Sequence, residues 1–73
     1  MVLVLTNSYY WFKKWCKIRG VVLEEAKYVR TKYELEGYDR STRVVMTNGC
    51  NRLDLDVIQA ARQRFDKVTL DLV

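Results

Sequence analysis

The sequence predicts an α+β domain of ferredoxin-like βαββαβ topology, with an antiparallel sheet and both helices on one face. Three observations lead there. Asn48-Gly49 lies between two apolar-patterned runs, the strongest short-range hairpin signal, because both residues of a type I′ turn need φ > 0. A long stretch of apolar residues at helical spacing precedes the pair, and a shorter one follows it. Apolar runs of strand length open and close the chain. Seventy-three residues make a single domain, 1–73, with a diameter of about 30 Å. The alternative is a small parallel βαβαβ three-layer fold, in which the hairpin is absent and the second helix starts near Leu53. Parallel strands are usually buried on both faces, whereas Val68–Leu72 alternates, and this favours the antiparallel arrangement.

The elements follow in order. Val2–Thr6 is apolar or β-branched throughout, which predicts a central strand covered on both sides. Asn7 or Ser8 then caps a helix through its side-chain oxygen. Trp11, Trp15, Ile18, Val22, Ala26, Val29 and Tyr33 are spaced 4, 3, 4, 4, 3 and 4 apart, an apolar stripe whose phase survives Gly20. An unbroken helix over residues 8–36 would be about 43 Å long, longer than the domain itself, so the expectation is two helices broken or kinked near Gly20. Gly37 ends the helical run, and Tyr38–Thr42 forms a loop.

The hairpin register is internally coherent. Folding the chain about Asn48-Gly49 places Val44, Met46, Leu53 and Leu55 on one face. Arg43, Thr47, Arg52 and Asp54 fall on the other, with Arg43 opposite Asp54 as an ion pair. Val45 alone contradicts the pattern, an apolar residue on the polar face. Asp56-Val57-Ile58-Gln59 then reads as a capping box, followed by a helix with Val57, Ile58, Ala61 and Phe65 inward. Lys67–Leu72 alternates and closes the sheet.

Composition narrows the function. The net charge of +4 is unevenly distributed. Residues 1–20 carry +4, residues 21–37 −1, residues 38–53 +2 and residues 54–73 −1. A basic N-terminal helix points to an acidic partner or nucleic acid, and its plainer reading is a solvated basic face. Cys16 and Cys50 lack metal-ligand spacing, so two reduced thiols in a cytoplasmic protein are expected. No signal peptide is evident. The opening apolar run is too short for a membrane span.

There is no histidine, which removes the commonest general base and the usual nucleophile-activating pairs. Asp54 and Asp56 are better explained by an ion pair and a helix cap than by paired-carboxylate chemistry. Cys50 near Arg43 and Arg52 is a candidate reactive thiol, with space-filling at a hairpin end as its plainer reading. Thr6-Asn7-Ser8 and Thr47-Asn48-Gly49 both follow apolar strands, an arrangement that suits paired phosphate loops only in the parallel topology. No catalytic residue, cofactor or metal is assigned.

Thr47-Asn48-Gly49-Cys50 after an apolar strand resembles the start of the TNGC-Phe-Asp motif of cytidylyltransferase-like nucleotidyltransferases, loosely extended through Ala60-Ala61-Arg62. That family's reactive His-x-Gly-His pair is missing. Asn51-Arg52-Leu53-Asp54-Leu55-Asp56 stands in its place, so no functional residue carries over.

The richest segment is Tyr9–Arg19, which holds five of the nine aromatics, interleaved with lysines. Trp11 and Trp15 are in phase with the apolar stripe and are assigned to the core or an interface. Tyr9, Tyr10, Lys13, Lys14, Lys17 and Arg19 form the candidate partner-binding face. The expectation is a non-enzymatic interaction or regulatory domain, such as an inhibitor encoded by a mobile element. It would bind a macromolecular partner, protein rather than nucleic acid, or self-associate. Sequence-independent nucleic-acid binding is the alternative, and binding to a membrane surface is not expected.

Overall fold

The computed structural model describes Met1–Val73. Its sheet is parallel throughout. Strands β1 (Val2–Leu5), β2 (Ala26–Val29), β3 (Arg43–Met46) and β4 (Val68–Leu70) lie in the order β2-β1-β3-β4. Helix α1 (Tyr9–Arg19) connects β1 to β2, and helix α2 (Leu55–Arg64) connects β3 to β4. This overturns the antiparallel ferredoxin-like expectation; the sheet is parallel as in the βαβαβ alternative, but with a fourth strand, β2, that the alternative lacked. Right-handed crossovers leaving the centre in opposite directions put the two helices on opposite faces.

Two cores result, one per face. On the α1 side, Val2, Val4 and Val45 pack against Phe12, Trp15, Cys16 and Ala26. On the α2 side, Leu3, Leu5, Val29, Val44 and Met46 pack against Val57, Ala61 and Phe65, with Leu35 completing the cluster. The central position expected for the first strand holds, since all four residues of β1 are buried. Val45, out of place in the hairpin, is fully buried under α1. It marks β3 as a strand covered on both sides.

The hairpin fails at one dihedral. Gly49 adopts φ +85°, but no non-glycine residue, Asn48 included, has positive φ. A type I′ turn needs both. The chain instead makes a 3₁₀ turn over Cys50–Arg52 and enters α2, with Asp54 at the N-cap position in extended conformation and without a side-chain cap bond. The capping box expected at Asp56 does not form, since Asp56 lies inside the first turn, 3.6 Å from Lys32 Nζ. The predicted Arg43–Asp54 ion pair does not form. The Arg43 guanidinium lies over the Trp15 ring, 5.7 Å from its centroid.

The break at Gly20 is real, but no second helix follows it. Gly20 takes φ +68°, its N–H donates to Lys17 and the Val21 N–H to Cys16, a Schellman ending that satisfies the last carbonyls of α1. A 3₁₀ turn over Leu23–Glu25 leads into β2, and another over Lys32–Leu35 follows it. Ala26 and Val29, assigned to a helical stripe, are the two buried ends of β2. The stripe also misjudged α1, whose buried residues are Phe12, Trp15 and Cys16. Neither Asn7 nor Ser8 caps α1 by a side-chain bond. Ser8 holds the N-cap position in extended conformation, and its N–H donates to Thr6 Oγ1.

β4 alternates although it is parallel, because it ends the sheet and is only partly covered. The inference from alternation to antiparallel pairing holds for interior strands and fails at an edge. Beyond β4, Asp71 ties the chain back to α1. Its Oδ2 accepts from Trp15 Nε1 and Arg19 Nε, both at 2.9 Å, and its Oδ1 accepts from Arg19 Nη2 at 2.6 Å. The molecule measures 27 × 24 × 17 Å. No helix is long and apolar enough to cross a membrane.

Candidate partner-binding surface

The outer face of α1 presents Tyr9, Tyr10, Lys13, Lys14 and Lys17 to solvent. This follows from helical geometry. With Phe12, Trp15 and Cys16 turned to the sheet, residues three and four apart on the far side must align. The tyrosines stack with the lysines one turn on. Lys13 Nζ sits 5.9 Å from the Tyr9 ring centroid, and Lys14 Nζ 5.8 Å from that of Tyr10. Tyr9 also meets Phe12 and Tyr28, with centroids 5.5 and 5.6 Å away. The face is therefore partly preorganised, with its cations held over rings.

An open concavity of about 870 Å³ lies along this face. Its walls are the two tyrosines and three lysines of α1, and Val21, Val22 and Leu23 close the far side. Val22 is 55% exposed. The sequence reading missed these three residues because it carried the helical phase past Gly20. The signal was present: a helix that stops at a glycine turns the next residues out of phase, so apolar side chains there have no assigned cover.

Lys13, Lys14 and Lys17 enter none of the three ion pairs of the molecule. Glu24 is the single acid lining the concavity. Arg19 differs from the other five candidates, since its guanidinium is committed to Asp71 and holds the C-terminal segment against α1. That pairing raises the Arg19 pKa and lowers that of Asp71, mainly through their hydrogen bond.

The loops at the carboxyl ends of β1 and β3 meet at the point where the strand order reverses, the usual ligand position in open parallel sheets. Here the loops close on each other. Thr6 Oγ1 donates to the Asn48 carbonyl. A side chain at Gly49 would collide with Asn7 Oδ1. The Asn48 amide is bonded to both backbone groups of Val73. Thr6 and Thr47 are fully buried. These polar groups bind one another, so the parallel topology that the phosphate-loop reading required is present while Thr6, Asn48 and Thr47 are turned inward. Beside them a cavity of about 510 Å³ is lined by Asn7, Arg30, Thr31, Glu34, Arg52, Leu53 and Asp54.

Neither cysteine stands in a metal or disulfide pair, and no group of three or more acidic or cysteine side chains is disposed to hold a metal ion. Cys16 is buried on the inner face of α1, which pushes its thiol pKa up. Cys50 is half-buried in the 3₁₀ turn after Gly49. Comparison with known protein families, with curated proteins and with solved structures returned no match.

Proposed function

We propose that this protein is a non-enzymatic interaction domain that docks onto an acidic segment of a partner protein through α1. The observation that carries the reading is the concavity in which three unpaired lysines flank exposed tyrosines and an apolar wall at Val21–Leu23. An acidic segment with one or two apolar anchors complements it. The lysines steer and orient the encounter, while the tyrosines and valines bury area at low entropic cost. A small regulator that occupies a surface of a larger assembly needs no more than this.

The test is capture of partners by the wild-type chain and by Lys13→Glu/Lys17→Glu, with Arg52→Glu, an exposed position off α1 and off the β4 edge, as a control for charge. The expected result is an acidic protein retained by wild type and control, lost with the double variant, and unaffected by nuclease. A partner kept by the double variant would overturn the reading.

Sequence-independent binding of single-stranded nucleic acid is the second reading, favoured by the alternation of stacked tyrosines and lysines on one exposed face. Titration of an oligonucleotide against salt separates the two. Phosphate-driven binding weakens steeply with the logarithm of salt concentration, and a flat response excludes it.

A further inference from the structure

We infer that the outer edge of β4 pairs with the same edge of a second copy of this chain, antiparallel about a two-fold axis at Thr69. This inference stands on the sheet edge and does not depend on the α1 surface. The Val44 N–H donates to the Lys67 carbonyl at 3.2 Å, and the Asp71 N–H donates to the Met46 carbonyl at 2.8 Å. Asn48 binds Val73 through both its backbone groups. The odd-numbered residues from Lys67 to Val73 thus face β3. Strand alternation then turns the N–H and C=O of Val68, Leu70 and Leu72 outward, where no strand lies.

The opposite edge is protected. On β2, the Ala26 N–H donates to Leu23 and the Arg30 N–H to Glu34 Oε1, so both ends of that edge are occupied by the chain itself. The β4 edge has no such cover. Its outward-facing residues also share one side of the sheet, the side of α2 against which Val68 packs. Leu70 is 62% and Leu72 58% exposed. Native sheets usually blunt a bare edge with charge, proline or a covering segment. Here the edge is lined by leucine.

Self-complementarity identifies the occupant. With Thr69 opposite its own mate, Val68 faces Leu70 of the partner subunit, and their outward N–H and C=O groups bond in both directions. Lys67 faces Asp71 of the partner subunit as a further donor to a carboxylate that also accepts from Trp15 and Arg19 of its own chain, and symmetry repeats the pair. Residues opposed without main-chain bonds bring their side chains closest. Lys67 has no carboxylate partner within its own chain. The result is one continuous sheet through both copies, with an apolar strip buried beside each α2.

Sedimentation velocity over a concentration series tests this on the full chain. A reversible dimer is expected. Leu70→Pro removes an outward N–H while sparing the bonds to β3, and should weaken the dimer about tenfold or more. Lys67→Glu, at an exposed position, should weaken it less, and added salt should restore part of the loss. Thr69→Cys in a Cys50→Ser background should form an intermolecular disulfide on mild oxidation. Lys13→Glu/Lys17→Glu should dimerise as wild type does, which distinguishes failure here from failure of the α1 reading. A wild-type chain monomeric throughout would overturn the inference. So would a dimer unchanged by Lys67→Glu, or one that Thr69→Cys does not cross-link. If circular dichroism shows that Leu70→Pro does not fold, the latter two variants decide. Pairing of this edge with an unrelated strand in place of its own copy also overturns it.

Discussion

Gly49 carries two constraints at once, a left-handed φ of +85° and direct contact with the Asn7 side chain. Gly20 carries only the first, with open space where a Cβ would stand. Gly20→Ala should therefore cost about 1–2 kcal/mol, and Gly49→Ala about 2–5 kcal/mol once overpacking is added. Denaturant titration of both variants checks the ranking, and Asn7→Ala should relieve part of the Gly49→Ala cost. Asp71 makes a second prediction. Its carboxyl is held below the usual range by hydrogen bonds from Arg19 and then Trp15. A folded pKa below the unfolded one contributes stability above the unfolded value and loses it as pH falls through the folded value. Asp71→Asn should thus lower the melting temperature at neutral pH and flatten its decline in acid. Thermal melts across that range would show a parallel decline if the bonds contribute nothing.

At the scale of elements, β3 separates the two topologies that the chain admits. In an antiparallel hairpin Val45 would face water, and a polar residue there would be harmless. In the parallel sheet it is fully buried against Phe12 and Trp15 with its cluster. Val45→Thr buries a hydroxyl without a partner and should cost roughly 1–3 kcal/mol, whereas a wet face would tolerate it. Much of each element was legible. Val2–Leu5 reads as a central strand because every position is apolar. An interruption at Gly20 reads from the excess length of the helical run, and α2 and β4 read from their periodicities. β2 was not legible. Ala26–Val29 falls by chance in phase with the helical stripe of α1, and periodicity alone does not separate a four-residue strand from one turn of helix.

For the whole molecule, two cores on either side of a single sheet make opening cooperative, since β1 and β3 contribute to both. A domain of this length holds roughly 4–11 kcal/mol of stability, so loss of one large buried side chain removes a large share. Cys16 reports on this. It is buried and its thiol pKa is raised, so alkylation should wait on unfolding, while half-buried Cys50 reacts from the native state. Time-resolved labelling followed by mass mapping checks the order, and equal rates at the two thiols would contradict it. The candidate surface divides in the same way. The α1 face was legible as interleaved aromatics and lysines, because a helix of known phase exposes its polar side. The apolar wall at Val21–Leu23 was not, because it depends on where the chain goes after Gly20.

The sequence by itself determined a small domain with an apolar central strand, a basic aromatic helix interrupted at Gly20, a second helix beginning near Asp56 and a short alternating strand. Strand direction, the existence of β2 and the meaning of Asn48-Gly49 were decided only in the tertiary structure. The physical reason lies in how little local energy separates the alternatives. Asn-Gly serves a type I′ hairpin when both residues take positive φ, and it serves a strand-to-turn exit when only the glycine does. What selects the exit is non-local. Thr6 engages the Asn48 carbonyl, Val73 engages its side chain, and Val45 finds cover only when β1 lies beside β3 with α1 above them.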